Sequence, residues 1–454
     1  MGVHLSDSLQ ATQYSPLLGE ETAAHSGHGD PMALRERSLL LREIVAAQQE
    51  KAAERRTFLV VINIADTKNY DDIIRVFGYK FADDLLNIRL ADLDFIRQDQ
   101  PAFRVGFWSI GLIYRTTGED DLRYSWAKLN AVLAKPLICR GIPISIKAGI
   151  GICDLMKSPI AAEDLLQATY LAGQAGAASP TGWTECNYDL AEDHRRAFTL
   201  ISDAGHALTT ADEFQLSYQA RVTLRSGQAD AVEALLRWYH PVLGRVTPDE
   251  FIPLIEATGL VRDLTSWVLA YAIAQAAKWH SDNQKLKICV KISTKSLEED
   301  DFVSRLRELL ETYKFPPAYL ELEFSERRSF SNLPVARGRL LELREMGVNI
   351  SIDDFGTGTN SFWSLENIPA NILKIDRNMI KSLPDNVRHQ ALVKSMIRMA
   401  HELDMEVVAE GVETAAVRDM LHGWNCDFAE GFLLNRPMPA DAFISWFTET
   451  FPRN

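Results

Sequence analysis

The stretch "VNISIDDFGTG", residues 348–358, decides how the rest of this 454-residue chain is read. Apolar Val348, Ile350 and Ile352 alternate with Asn349 and Ser351, the period-two pattern of a strand, and Asp353 and Asp354 end it before a glycine-rich turn. Neighbouring strand residues face opposite sides, so one carboxylate is expected to point inward and the other to lean over the rim. Two readings stand on this segment alone. The pair holds a metal ion, or it is a strand stop and helix cap, a role that Asp and Gly often play.

The whole chain narrows the field. Hydrophobic residues make up 46% and charged residues 24%, an ordinary globular mix with room for two or three domains. Acids outnumber bases 62 to 48, for a net charge of −14, which argues against nucleic acid or an anionic membrane surface as a partner. No apolar run approaches the length of a membrane span, and "MGVHLSDSLQ" lacks the order of a signal peptide, so a soluble, cytoplasmic protein is expected. Cys139, Cys153, Cys186, Cys289 and Cys426 are scattered and show no C-x-x-C spacing, the pattern of reduced core thiols.

Residues 1–32, rich in Ser, Thr, Gly and His, are expected to form a disordered tail in which His25 and His28 are solvated. An amphipathic helix is expected over 33–56, with Leu34, Leu39, Leu41, Ile44 and Val45 as its apolar stripe, packed on the next domain or on a second copy of the chain. Over 57–190 the segments "FLVVINIA", "AFRVGFWSIGLIYR" and "PISIKAGIGIC", with helical stretches between them, give a β-α-β-β-α-β order in an α/β domain. From 196 to 454, eight strands alternate with helices: "FQLSYQARV", "AVEALLRW", "KICVKIS", "YLELEFSE", "NISIDDFG", "ILKID", "EVVAEGV" and "FAEGFLL". That count over that length predicts a TIM-like (β/α)8 barrel.

In such a barrel the reactive groups collect at the strand ends. Those ends carry Glu233, Lys291, Glu323 and Glu326, Asp353 and Asp354, Lys374 and Asp376, Glu410, and Glu430. Converging acids repel unless a cation lies between them. Carboxylate oxygens suit Mg2+ or Mn2+, and two such ions can clamp the attacking and leaving oxygens of a phosphodiester displacement.

The segments "EALLRWYHP", "DEFIPLIEATGL", "LELEFSE", "IDDFGTG", "LKID" and "AEGVET" resemble, in order and spacing, the EAL-type cyclic-di-GMP phosphodiesterases. The resemblance implies a barrel with an antiparallel first strand and, in active members, hydrolysis of cyclic di-GMP to pGpG with two divalent ions. It implies metal ligation by Glu233, Glu323, Asp353, Asp354 and Glu410, and catalytic roles for Glu233, Lys374 and Glu410. Gln219, Arg237 and Asp376 fall on the ligand side, and Glu326 steadies the loop after Asp354. Two small departures lie nearby: Ala220 follows Gln219 where the family has proline, and the loop reads "TGTNSF" instead of "TGYSSL".

Two larger departures concern the metal. Lys291 stands where the family has a ligating asparagine, and Glu430 where it has glutamine. A protonated lysine has no lone pair to offer, so its ammonium is expected to take the place of a metal ion, with Glu430 as its counter-charge. The alternative is that Lys291 swings to solvent and a metal still binds.

Residues 57–190 resemble, more weakly, a GGDEF-type diguanylate cyclase, through element order, "FGYKFADDLL" and "FRVG". The signature turn reads Gly106, Phe107, Trp108, Ser109, so Trp108 and Ser109 stand where the signature's chemistry is expected and both acids are gone. Asp66 and Asp83 remain, Gly176 replaces a phosphate-binding lysine, and Arg97 followed by Gln100 breaks the inhibitory R-x-x-D motif. The expected protein is a GGDEF-EAL signalling protein without cyclase activity and with impaired hydrolysis. It would act as a cyclic-di-GMP receptor or as a scaffold for a protein partner, the competing reading being an active phosphodiesterase.

Overall fold

The computed structural model describes residues 34–50, 56–65, 67–97, 100–116, 122–157, 160–210, 212–326, 332–356 and 365–452. The expectations for the 1–32 tail, for Asp66 and for the "TGTNSF" loop lie outside the described residues. The chain divides into two compact units, Met1–His194 and Arg195–Asn454.

The first unit is built on strands β1 (Arg56–Asn63), β2 (Ala102–Gly106), β3 (Ser109–Thr116), β6 (Gly149–Asp154) and β7 (Trp183–Glu185), in the order β2-β3-β1-β6-β7. Central β1 is buried from Thr57 to Asn63, as its nearly unbroken apolar run requires of a strand covered on both faces. The "PISIKAGIGIC" run is two strands, not one. β4 (Leu137–Cys139) and β5 (Ile142–Ile144) form a hairpin of their own, and β6 begins only at Gly149.

The expected 33–56 helix is shorter, Arg37–Gln49, and it buries Leu40, Ile44 and Ala47 against Leu59, Val61, Phe103 and Ile113 of its own unit. Leu39 and Val45, assigned to the stripe, remain 39% and 43% exposed. Ile44 of the expected stripe is buried and Leu41 is partly buried against the same cluster, while the seam gains Leu40 and Ala47, which lie on the same helix face as Ile44.

The second unit is an eight-stranded barrel. Its strands are β8 (Phe214–Thr223), β9 (Ala229–His240), β11 (Lys287–Lys291), β12 (Leu320–Ser325), β13 (Asn349–Phe355), β14 (Ile372–Ile375), β15 (Glu406–Ala409) and β16 (Phe428–Ala429), with a short β10 (Gly244–Val246) hooked onto β9. β8 runs antiparallel to both neighbours, β9 and β16, and closes the ring; every other barrel contact is parallel. Helices such as Val261–Ser281, Val387–Glu402 and Ala440–Thr450 cover the outside and bury Trp279, Ile397 and Phe443 against the strands. Among the described residues no helix is long and apolar enough to cross a membrane.

Candidate functional site

The parallel strands deliver their last inward side chains to one end of the barrel, and an ammonium lies at the centre of that group. Lys374, at 0% exposure on β14, places Nζ 2.9 Å from Glu323 Oε1, 2.9 Å from Glu410 Oε1, 3.4 Å from Glu430 Oε2 and 3.7 Å from Glu233 Oε1. Burial alone would lower the pKa of Lys374; the surrounding glutamates overcome it and hold the ammonium well above its usual range. One positive charge cannot balance four carboxylates. Burial, only partly offset by Lys374, pushes Glu323 up to about 8 and Glu233 up to about 7, and it raises Glu430 to about 7 and Glu410 well above the usual range. A raised pKa makes each of these glutamates readier to hold a proton, which is the direction that eases their mutual repulsion.

A second ammonium serves the aspartates of the opening motif. Lys291, at the end of β11, sets Nζ 2.6 Å from Asp353 Oδ2 and 3.2 Å from Asp354 Oδ2. Strict alternation would have sent these two carboxylates to opposite faces. Instead the β13–β14 register shifts between Ile352 and Phe355, and Asp354 adopts φ 58°, a left-handed conformation that Asp tolerates better than most residues. The irregularity turns both carboxylates toward one cation. Ser325 Oγ donates to Asp354 Oδ2 at 2.8 Å, and the Asp354 amide donates to Asp353 Oδ1 at 2.7 Å. Against the effect of burial, Lys291 and Lys374 hold the Asp353 carboxyl well below its ordinary range; Asp353 and Asp354 likewise hold the half-exposed Lys291 above its usual range.

The expected partnership of Lys291 with Glu430 is not what forms. Glu430 sits on the Lys374 side, while Lys291 engages the aspartates.

The supporting residues divide between cavity-lining and structural placements. Arg237 lines a cavity of about 650 Å³ together with Glu233, Lys291, Ser293, Thr294 and Asp354. Gln219 lies opposite Glu233 across β8–β9, buried, and its amide donates to Asn435 O at 3.0 Å. Glu326 Oε2 accepts from the Gly356 amide at 2.9 Å, pinning the turn that follows Asp354, where Gly356 has φ 95°. Asp376 is buried and caps the helix Arg377–Lys381 by accepting from Asn378 N at 2.8 Å.

The network deeper in the barrel escaped the sequence reading. Arg221, at 0% exposure, pairs with Glu321 at 2.7 Å and with Asp230 at 3.1 Å, and its guanidinium lies 4.7 Å from the Phe428 ring centre. The signal was present in "LELEFSE": Glu321 and Glu323 share one face, so an inward Glu323 brings Glu321 inward as well.

The acids fit a divalent ion. Asp353, Asp354 and Glu410 each bring an oxygen within 4.8 Å of the others, a hard-donor set suited to Mg2+ or Mn2+. Glu323 Oε2 and Glu430 Oε1 are buried without a hydrogen-bond partner among the described residues, so they are also in want of a cation or a donor. Lys291 does not fit. An ion ligated by Asp353 and Asp354 has to displace an ammonium already in contact with both.

In the first unit, Trp108 is buried in the core edge-on to Tyr70, and Ser109 is buried at the start of β3. Phe107 is 74% exposed and stacks on Tyr70. Asp83 pairs with Arg104 at 3.7 Å. Gly176 lies against β6, where an added Cβ would come within 2.8 Å of Ile150 O, so the position carries helix–sheet packing and has no space for a lysine stem.

Residues 202–437 match the family model described as EAL domain. Cyclic di-GMP phosphodiesterase PA2567 of Pseudomonas aeruginosa is 34% identical over 378 residues, 82% of this chain and 64% of that protein. The bifunctional diguanylate cyclase/cyclic di-GMP phosphodiesterase MucR of the same organism is 30% identical, covering 92% of this chain and 61% of its own length. The chain thus spans less than two thirds of these relatives. Among solved structures, PaMucR phosphodiesterase in its c-di-GMP complex is 37% identical with a TM-score of 0.51, covering 54% of this chain and 99% of that one. The EAL enzyme Bd1971 shares the fold at 21% identity and a TM-score of 0.53, over 88% of this chain and 96% of that one. On the matched segment, its barrel and its ring of strand-end acids, the chain belongs to the EAL domain family.

Proposed function

We propose that this protein is a cyclic-di-GMP receptor whose EAL barrel is impaired in hydrolysis and whose first unit is a degenerate GGDEF module that makes no cyclic di-GMP. The reading is carried by one observation: Lys291 contacts Asp353 and Asp354 at 2.6 and 3.2 Å, where a ligating metal would have to go. An ammonium neutralises charge but cannot bind water as a Lewis acid, so it supplies no hydroxide at neutral pH. Lys291 and Lys374 neutralise part of the charge of the mouth without an ion, and Arg237 lines the adjoining cavity, where it can serve a phosphate. The relatives named for cyclic di-GMP support the choice of ligand. The GGDEF assignment is supported by the element order of the first unit and by the 378-residue similarity to a relative, which is longer than the second unit itself.

A second reading, an active Mg2+- or Mn2+-dependent phosphodiesterase, is favoured by one feature. The Lys291 side chain is 48% exposed and so has room to withdraw and admit an ion. Calorimetric titration with cyclic di-GMP, with and without Mg2+, together with chromatography for pGpG, separates the two. Binding without product supports the receptor; turnover of roughly 1 per second or more overturns it.

A further inference from the structure

Two cysteines of the first unit stand side by side, outside everything described so far. β6 and β7 pair in parallel with Ile150 opposite Trp183, Gly151 opposite Thr184 and Ile152 opposite Glu185. The next residues in step are Cys153 and Cys186. The Cys186 amide continues the ladder, donating to Ile152 O at 2.6 Å. Both side chains enter one apolar cluster with Leu165 and Ala168, Cys153 at 1% and Cys186 at 7% exposure. Both are free thiols. Paired strands lie about 4.8 Å apart, inside the roughly 4.4–6.8 Å Cα separation that a disulfide spans.

We propose that Cys153 and Cys186 form a reversible intramolecular disulfide, a redox-sensitive staple joining edge strand β7 to β6. β7 is three residues long and pairs with β6 alone in its sheet, so it depends on few ladder bonds. A cross-link beside it restrains the strand and the start of the helix Asp189–Ala207 that follows. Cys186 beside it brings the Cys153 thiol below its ordinary range against the effect of burial, while Cys153 and burial raise Cys186, so Cys153 is the attacking sulfur of the pair.

With hydrogen peroxide as oxidant, the Cys153 thiolate attacks one oxygen; an S–O bond forms, the O–O bond breaks, and the leaving hydroxide takes up the proton released by the thiol. Cys186 sulfur then attacks the sulfenic sulfur; S–S forms, S–O breaks, and the hydroxide leaves as water with the Cys186 proton. Two thiols lose two electrons and the peroxide becomes two waters. A dithiol reductant reverses the step.

The test uses the full chain, treated with peroxide, alkylated and mapped without reduction. Free thiols are expected to fall from five to three, with one cross-link between Cys153 and Cys186 that dithiothreitol removes. Cys139, Cys289 and Cys426 stay alkylated as internal controls, hydrogen exchange of the β7 amides slows in the oxidised form, and Cys186→Ser loses the cross-link. The proposal is overturned if all five thiols persist in the folded protein, or if the Cys153–Cys186 link appears only in urea. Neither result touches the nucleotide reading, and the wild-type measurement does not depend on any variant folding.

Discussion

Lys291 Nζ and Asp353 Oδ2 meet at 2.6 Å, joining the end of β11 to the end of β13 across the intervening strand β12. Through this contact and its partner at Asp354, a tethered ammonium sits between two of the three acids that could hold an ion. Lys291→Asn removes it and restores a neutral oxygen ligand. The variant is expected to bind Mn2+ at least tenfold more tightly than the wild type in calorimetry. In chelator it should be less stable by about 1–2 kcal/mol, a modest figure because the lysine is half exposed. Mn2+ should return that loss. A wild type that already binds Mn2+ as tightly as the variant would show that Lys291 does not guard the site.

The protonated glutamates make metal-free stability depend on pH. Glu233, Glu323 and Glu430 have folded pKa values of about 7, 8 and 7, above those of an unfolded glutamate. The native state therefore binds more protons, and stability from these groups is fully present below about 4.5 and lost as pH rises through 7 to 8. Urea unfolding in chelator should show a loss on the order of 5 kcal/mol between pH 6 and pH 8.5. Asp353 has the opposite sign and acts only in acid, as pH falls below the unfolded aspartate value. A flat profile across the neutral range would mean that the glutamates are ionised and balanced in another way.

Much of this site was legible because strand ends can be read from alternation, and eight apolar runs marked all eight barrel strands. What alternation cannot show is a break in itself. The register shift after Ile352 and the left-handed Asp354 bring two carboxylates to one ammonium, and without that irregularity Glu430 was the natural partner for Lys291. The β4–β5 hairpin was hidden for the same reason, since Pro143–Cys153 reads as one continuous run although β5 ends at Ile144. On the Arg37–Gln49 helix the leucines at 39, 40 and 41 leave the phase of the buried face undetermined until its packing partners are known.

Arg237 reaches the cavity beside the mouth, and its Nη1 donates only to the neighbouring Leu236 carbonyl among the bonds seen here. Arg237→Ala should weaken cyclic-di-GMP binding by about 10- to 100-fold, or roughly 1.4–2.8 kcal/mol, with little change in the unfolding midpoint. An unchanged affinity would move the phosphate contact elsewhere and weaken the receptor reading directly.

In the first unit, the buried Trp108 and Ser109 leave the β2–β3 turn without a carboxylate. No cyclic di-GMP should form from GTP with either Mg2+ or Mn2+ present. Metal-dependent synthesis by the full chain would overturn the assignment of a degenerate cyclase.

The last prediction separates the two ammonium groups. Glu430 lies 3.4 Å from Lys374, whereas the ion pairs of Lys291 are with Asp353 and Asp354. In a double-mutant cycle read by urea unfolding in chelator, Glu430→Gln with Lys374→Met should show a coupling of roughly 0.5–3 kcal/mol, as expected for residues in contact. Glu430→Gln with Lys291→Asn should be additive to within about 0.5 kcal/mol. Lys374→Met alone should be the most damaging single change, about 3–5 kcal/mol, because it strips a largely buried cluster of the ammonium at its centre, whereas Lys291→Asn acts at the rim where water can compensate. If Lys291 and Glu430 instead prove the more strongly coupled pair, then the two departures from the family compensate each other directly, and the division of the mouth into a Lys374 group and a Lys291 group is wrong.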